Sequence, residues 1–193
     1  MTGSIKAAAP PLAVQSGAPD AHRAQIAGRS AWLLASSWPQ DEELALRVHG
    51  TRLQTDPSAL LIIAPRDIAR APSIAAHAAQ LGLRAACRTT NPHIAPDVQV
   101  YIADTFGEMG LWYRLCRTAL IGGTFGPTEG HNPWEAAVLG CAILHGPRTA
   151  NFANDYAQLA AGNAALCVDE TGLQSALGAD HSAMAQRAQA LAA

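Results

Sequence analysis

Ala59-Leu60-Leu61-Ile62-Ile63-Ala64-Pro65-Arg66 is the stretch that decides the fold. Six apolar residues in a row, without polar alternation, mark a strand buried on both faces, as in a parallel sheet covered by helices. The same unit repeats on either side. Upstream, Ala31-Trp32-Leu33-Leu34-Ala35 is a second apolar run, ending at Ser36-Ser37. Pro39-Gln40-Asp41-Glu42-Glu43 then opens a helix whose first-turn acids suit the positive end of its dipole, and the helix continues through Leu44 and Val48 toward Leu53. Downstream, Ile74, Ala75, Ala78 and Leu81 recur at helical spacing and Gly82 closes the helix. Further apolar runs at 83–87, 98–103, 119–121, 142–144 and 165–168 alternate with helical patterns near 108–114, 133–139, 152–161 and after Thr171. This alternation predicts a three-layer α/β/α domain with a mainly parallel sheet and right-handed crossovers. Residues 1–29 mix Ala, Pro, Gly and Ser without periodicity and read as a linker or arm, leaving 30–193 as one domain.

Composition narrows the function. With 49% hydrophobic and 15% charged residues, the chain has apolar content enough for a core. The 13 basic and 15 acidic residues give a net charge of −2, which argues against a nucleic-acid partner, and 5% aromatic content argues against base-stacking platforms. Cys87, Cys116, Cys141 and Cys167 form no close pair, so they read as small buried thiols in a reducing cytosol. No histidine spacing suggests a metal site, and none is expected. The apolar run at 59–64 is far shorter than the ~20 residues needed to span a bilayer, so a soluble chain without membrane insertion is expected.

In parallel sheets ligands sit beyond the carboxyl ends of the strands. The loops after Ala64, Ala103, Ile121 and Leu144 are therefore the candidates. Ile121-Gly122-Gly123-Thr124 through Gly130-His131-Asn132-Pro133-Trp134-Glu135 leads from a strand into a helix. Asn132 suits the N-cap, Pro133 the first helical position and Glu135 the capping-box position. A glycine-preceded helix start offers free amides to a phosphate, although caps alone also explain Asn132 and Glu135. The spacing is neither a dinucleotide fingerprint nor a Walker loop. Arg66 ends a buried strand, where it serves either an anionic ligand or an ion pair with Asp67. Glu108 reads as a first-turn acid, and His131 and His145 as structural hydrogen-bonders or anion contacts.

Together these loops resemble the 3-deoxy-D-manno-octulosonate (Kdo) transferases of lipopolysaccharide assembly. Thr2-Gly3-Ser4-Ile5-Lys6 is similar to the family's T-G-N-[LI]-K, and Ala35-Ser36-Ser37 with Glu42-Glu43-Leu44 to its A-[GS]-S-T-x-x-x-E-E-x. Pro65-Arg66 resembles P-R-H, and Asp104-Thr105-Phe106-Gly107-Glu108 resembles D-T-[MF]-G-E. Gly122-Gly123-Thr124 with Gly130-His131-Asn132-Pro133-Trp134-Glu135 resembles G-G-S…G-H-N-x-x-E, and Gly146 to Phe152 resembles G-P-H-T-x-N-F. The order and spacing of these pieces make the combination specific.

The resemblance implies the Rossmann-like, donor-nucleotide-binding half of a GT-B glycosyltransferase that moves Kdo from CMP-Kdo to a lipid A precursor. Carried over by motif, Pro65 and Arg66 border the nucleotide, Phe106, Gly107 and Glu108 hold the cytosine or ribose region, and Asn132, Pro133, Trp134 and Glu135 hold the phosphate and ribose. The family's first half, with its acidic general base and acceptor surface, has no counterpart in these 193 residues. No catalytic residue is therefore expected here, nor any cofactor beyond the CMP-Kdo donor, and the chain alone is expected to be inactive. Full-length members sit at the cytoplasmic face of the inner membrane. Two departures stand out: the family's P-R-H histidine is Asp67, and Gly126-Pro127-Thr128-Glu129 differs from the usual loop. A degenerate binding or regulatory half, and a GT-B enzyme using a UDP sugar, are the alternatives.

Overall fold

A computed structural model describes residues 18–193. The motif Thr2 to Lys6 lies outside the described residues. The elements run α1 (Ala18–Gln25), β1 (Ala31–Ser37), α2 (Pro39–Arg52), β2 (Leu60–Pro65), α3 (Ala71–Gln80), β3 (Ala85–Cys87), β4 (Val100–Ile102), α4 (Met109–Leu115) and β5 (Thr118–Ile121). They continue with α5 (Trp134–Val138), β6 (Ala142–His145), α6 (Ala153–Ala161), β7 (Ala165–Cys167), α7 (Glu170–Ala176) and α8 (Ser182–Ala192), with short 3-10 turns at Ile68–Arg70 and Ala150–Phe152.

All seven strands pair in parallel, in the order β3-β4-β2-β1-β5-β6-β7. The apolar runs are buried on both faces because alternate residues feed two separate cores. Leu33, Ala35, Leu60 and Ile62 face Leu111, Trp112, Ala136 and Leu159, while Trp32, Leu34, Leu61 and Ile63 face Leu46, Ile74 and Leu173. Every side chain of β2 is buried, at roughly 1.5–3 kcal/mol for each fully buried large aliphatic residue.

The end of the expected arm differs. Residues 18–25 form α1, which packs on α4, burying His22 and Ile26. Arg29 then reaches the carbonyl oxygens of Ser58, Ala59 and Val98 at 2.9, 3.2 and 2.5 Å, pinning the chain to the amino edge of the sheet. Alanine-rich periodicity of so few residues is a weak signal, and the contact that stabilises this helix is 90 residues away. The thiols divide as well: Cys116 and Cys141 are buried, whereas Cys167, on the edge strand, is exposed.

Candidate functional site

The chain leaves β1 toward β2 and later returns to the other side of β1 as β5, so the sheet order reverses between these two strands. Ligands of open parallel sheets bind in the crevice beyond the strands at such a point. Here the loops after β1 and β5 touch. A Cβ at Gly122 would fall 2.5 Å from the Ser36 carbonyl oxygen and 2.8 Å from that of Ala35, so only glycine fits. Ser36 itself takes the left-handed conformation (φ +55°), the strained end of β1.

Asp41 joins the two loops. Its side chain is fully buried and accepts from the amides of Trp38 (2.9 Å), Gly123 (2.7 Å) and Phe125 (3.2 Å). Burial pushes its pKa up, opposed by these amides. Two amides of the glycine-rich loop are thus taken by an internal carboxylate and are not free for a ligand. Glu42 is buried beside it, accepting from Ser37 Oγ (3.0 Å) and Arg70 (2.6 Å), and braces β1 against the start of α3.

Further along the loop, the Asn132 carboxamide oxygen accepts from the Trp134 amide (3.0 Å), and Pro133 already has helical angles. The cap therefore forms, but the reciprocal contact from Glu135 does not. The half-buried Glu135 carboxyl has no hydrogen-bonding or ionic partner among the described residues, and burial alone raises its pKa. The amides of His131, Asn132, Glu135 and Ala136 likewise find no acceptor among the described residues. The Trp134 indole faces the interior rather than the carboxyl edge. Trp134 is 3% exposed, and its indole donates to the buried Asp155 carboxylate (2.7 Å), tying α5 to α6. Pro133 is also buried, below the loop surface.

The other predicted residues lie on loops side by side at the carboxyl edge. Pro65 is the buried last residue of β2. Arg66 follows with its amide on the Ser37 carbonyl oxygen (3.1 Å), its side chain exposed and in no ion pair among the described residues. Asp67 instead caps the next turn by accepting from the Ala69 amide (3.0 Å), so its charge is turned to local structure. Beyond β4, Phe106 is 76% exposed and Gly107 takes φ +80°. Glu108 is held by Arg88 (3.0 and 3.1 Å) and the Thr105 hydroxyl, and Arg88 holds its carboxyl below the usual range. Its oxygens are already engaged before any ligand arrives. His145 lies buried against the Tyr156 ring, 4.5 Å between centroids.

Sequence reasoning missed three features here: the Asp41 bridge, the Arg88–Glu108 pair and a contact between Trp38 and His131. Acids at 41–43 read as ordinary first-turn residues, and partners 82 and 93 positions away leave no trace in local spacing. A separate concavity of about 790 Å³ opens at the opposite, amino edge, lined among others by Arg29, Arg52, Arg117 and His181. It sits away from the switch point, at the end of a parallel sheet where ligands are not usually bound.

With this geometry in place, the chain can be set beside known proteins. No protein-family model matches the chain. It is 32% identical over 158 residues to the probable 3-deoxy-D-manno-octulosonic acid transferase, mitochondrial, of Arabidopsis thaliana, covering 79% of this chain and 35% of that protein. To the 3-deoxy-D-manno-octulosonic acid transferase of Haemophilus influenzae it is 29% identical, covering 74% and 34%. The C-terminal CMP-Kdo binding domain of WaaA from Acinetobacter baumannii superimposes with a TM-score of 0.82 at 29% identity, over 91% of this chain and 93% of that one. In sequence this chain is similar to part of the Kdo transferases, and in fold to a C-terminal CMP-Kdo binding domain. It spans about a third of the length of the curated Kdo transferases it matches. Trehalose-6-phosphate synthase OtsA, at TM-score 0.56 and 12% identity over 97% of this chain and 44% of its own, shares the fold alone. The architecture is that of one half of a GT-B glycosyltransferase. No helix among the described residues is long and apolar enough to cross a membrane.

Proposed function

We propose that this chain is the donor-binding half of a Kdo transferase and holds CMP-Kdo at the carboxyl edge of its sheet. The observation that carries the reading is the likeness to a CMP-Kdo binding domain over nine-tenths of the chain, beside which Arg66 and Glu135 stand without an ion pair among the described residues on loops at the carboxyl edge of the sheet. Arg66 supplies a cation for the CMP phosphate, and the free amides of His131 and Asn132 supply neutral donors. Glu135 accepts from ribose hydroxyls, and the exposed Phe106 ring offers a face to cytosine, flanked by Gly107 and Glu108. As CMP departs, negative charge grows on its phosphate, and donors already in place stabilise it without reorganising. In the complete reaction the acceptor is a lipid A precursor, the general base comes from the N-terminal half seen in the family, and the anomeric centre inverts. The donor is the only small molecule this reading requires of the chain, and its place is the cytoplasm.

Titration calorimetry with CMP tests the proposal. Wild type is expected to bind, while Arg66→Ala and Glu135→Ala each bind roughly tenfold more weakly, the loss of one charge-assisted hydrogen bond. Equal silence from all three proteins would remove the nucleotide reading. Displacement by UDP as readily as by CMP would instead favour a UDP-sugar enzyme. Transfer on mixing with an N-terminal half would exclude a purely binding or regulatory module; the chain alone is expected to bind without transferring.

A further inference from the structure

Trp38 and His131 come from the two loops that meet at the switch point, 93 positions apart. The Trp38 indole N–H donates to Nε2 of His131 at 2.8 Å, and the ring planes lie within 10° of each other, so the bond runs along the imidazole's in-plane lone pair. An indole nitrogen can only donate. Nε2 must therefore be unprotonated, and the proton of the neutral ring sits on Nδ1. Gly123 makes room for this edge of the ring, since a Cβ there would meet His131 Cδ2 at 3.0 Å and Nε2 at 3.2 Å. The Tyr156 hydroxyl donates to the His131 carbonyl oxygen (3.0 Å) and fixes the backbone. Nδ1, by contrast, has no partner among the described residues and is not among their sealed polar atoms.

We propose that Trp38 is a positioning residue: it locks His131 as the Nδ1–H tautomer, and that N–H donates to an anionic oxygen of the nucleotide donor. The inference rests on the donor-binding reading above and adds two residues to it. Burial and Arg66 bear on the ring's charge, with Asp41 and Tyr156 the other titratable groups beside this loop. Arg66, from the loop after β2, disfavours a second positive charge, as burial does first. Asp41, behind Gly123, is committed to backbone amides, and the Tyr156 phenol is pushed up by burial and stays neutral. The imidazole is thus a neutral donor with a fixed direction rather than a titrating cation.

Two measurements test the role. In the ¹⁵N spectrum of the full chain, His131 of the wild type should show a protonated Nδ1 and a bare Nε2 at neutral pH, and Trp38→Phe should show mixed tautomers. In calorimetry with CMP, His131→Ala should bind roughly tenfold more weakly, the size of one hydrogen bond to an anion. Trp38→Phe should bind about threefold more weakly at pH 8 and recover only as pH falls below about 6.5, because burial and Arg66 still hold the freed ring's pKa under the ordinary histidine value. Wild type should show no such recovery, nor should the double variant. If Trp38→Phe does not fold, the wild-type tautomer and His131→Ala decide the matter. An Nε2–H tautomer in the wild type, or His131→Ala binding CMP like the wild type, overturns the inference while leaving CMP binding intact. A wild type that binds no CMP overturns the donor reading itself, and the ligand role of His131 with it.

Discussion

Replacing Asp41 with alanine should loosen the switch point more than any exposed substitution nearby. The carboxylate is fully buried and accepts three backbone amides, those of Trp38, Gly123 and Phe125. A sealed amide left without an acceptor costs about 1–3 kcal/mol. Gly123 is buried and bears that cost in full, whereas Trp38 and Phe125 are partly reached by water and bear less. Relief of the desolvated charge, visible in the raised pKa, offsets part of the loss. The net is about 3 kcal/mol, which at this chain length corresponds to roughly 6–12 °C in melting temperature. Asp41→Asn should be milder, because its one carbonyl oxygen can still serve Trp38 and Gly123, which share Oδ2, leaving only Phe125 against the amide group. About 1 kcal/mol is expected for it. Glu43→Ala, which breaks an exposed pair with Arg47, is the control and should fall within about 0.5 kcal/mol of wild type. Urea and thermal melts followed by circular dichroism give the comparison. An alanine variant that melts with the wild type, or an asparagine variant as damaged as the alanine one, would refute the reasoning.

Glu135→Gln should separate stability from binding. Burial raises the Glu135 pKa, so the folded chain holds this proton more tightly than the unfolded one, and wild-type stability falls as pH rises above the ordinary glutamate range. The glutamine variant should match wild type in acid and exceed it at neutral pH in denaturant melts, while binding CMP more weakly; a stability gap that shrinks with rising pH would contradict this. Trp134→Phe should lower stability by about 1–2 kcal/mol by stripping Asp155 of its indole donor, with CMP affinity unchanged in the protein that remains folded. A selective loss of affinity would put Trp134 in the ligand site. Gly122→Ala should fail to give folded protein, since its Cβ would stand 2.5 Å from the backbone oxygen of Ser36, and a normal melt would show that the two loops can part.

Much of this site was readable from the linear chain where one residue type answers a local need. Asn132 ahead of a proline and an apolar helix announces a cap, and the Trp134 amide on its side chain is that cap. Arg66 after an unbroken apolar run is forced to the rim because the strand behind it has no room for charge. A helix only five residues long turns the Trp134 indole inward toward α6, a direction its motif does not announce. Asp67 looked like an unwelcome charge near a phosphate, but its carboxylate is engaged in capping its own turn.

Hydrophobic periodicity along the chain by itself determined the alternation of strands and helices, the parallel sheet and the edge on which to look, because burial on both faces is written into uninterrupted apolar runs. Strand order, the pairing of the β1 and β5 loops, and the partners of Asp41, Glu42, Glu108 and His131 were decided only by tertiary structure. A buried carboxylate or imidazole takes its chemistry from whatever donor packs against it, and the donors that tie these groups to other elements arrive from 20 to 93 positions away.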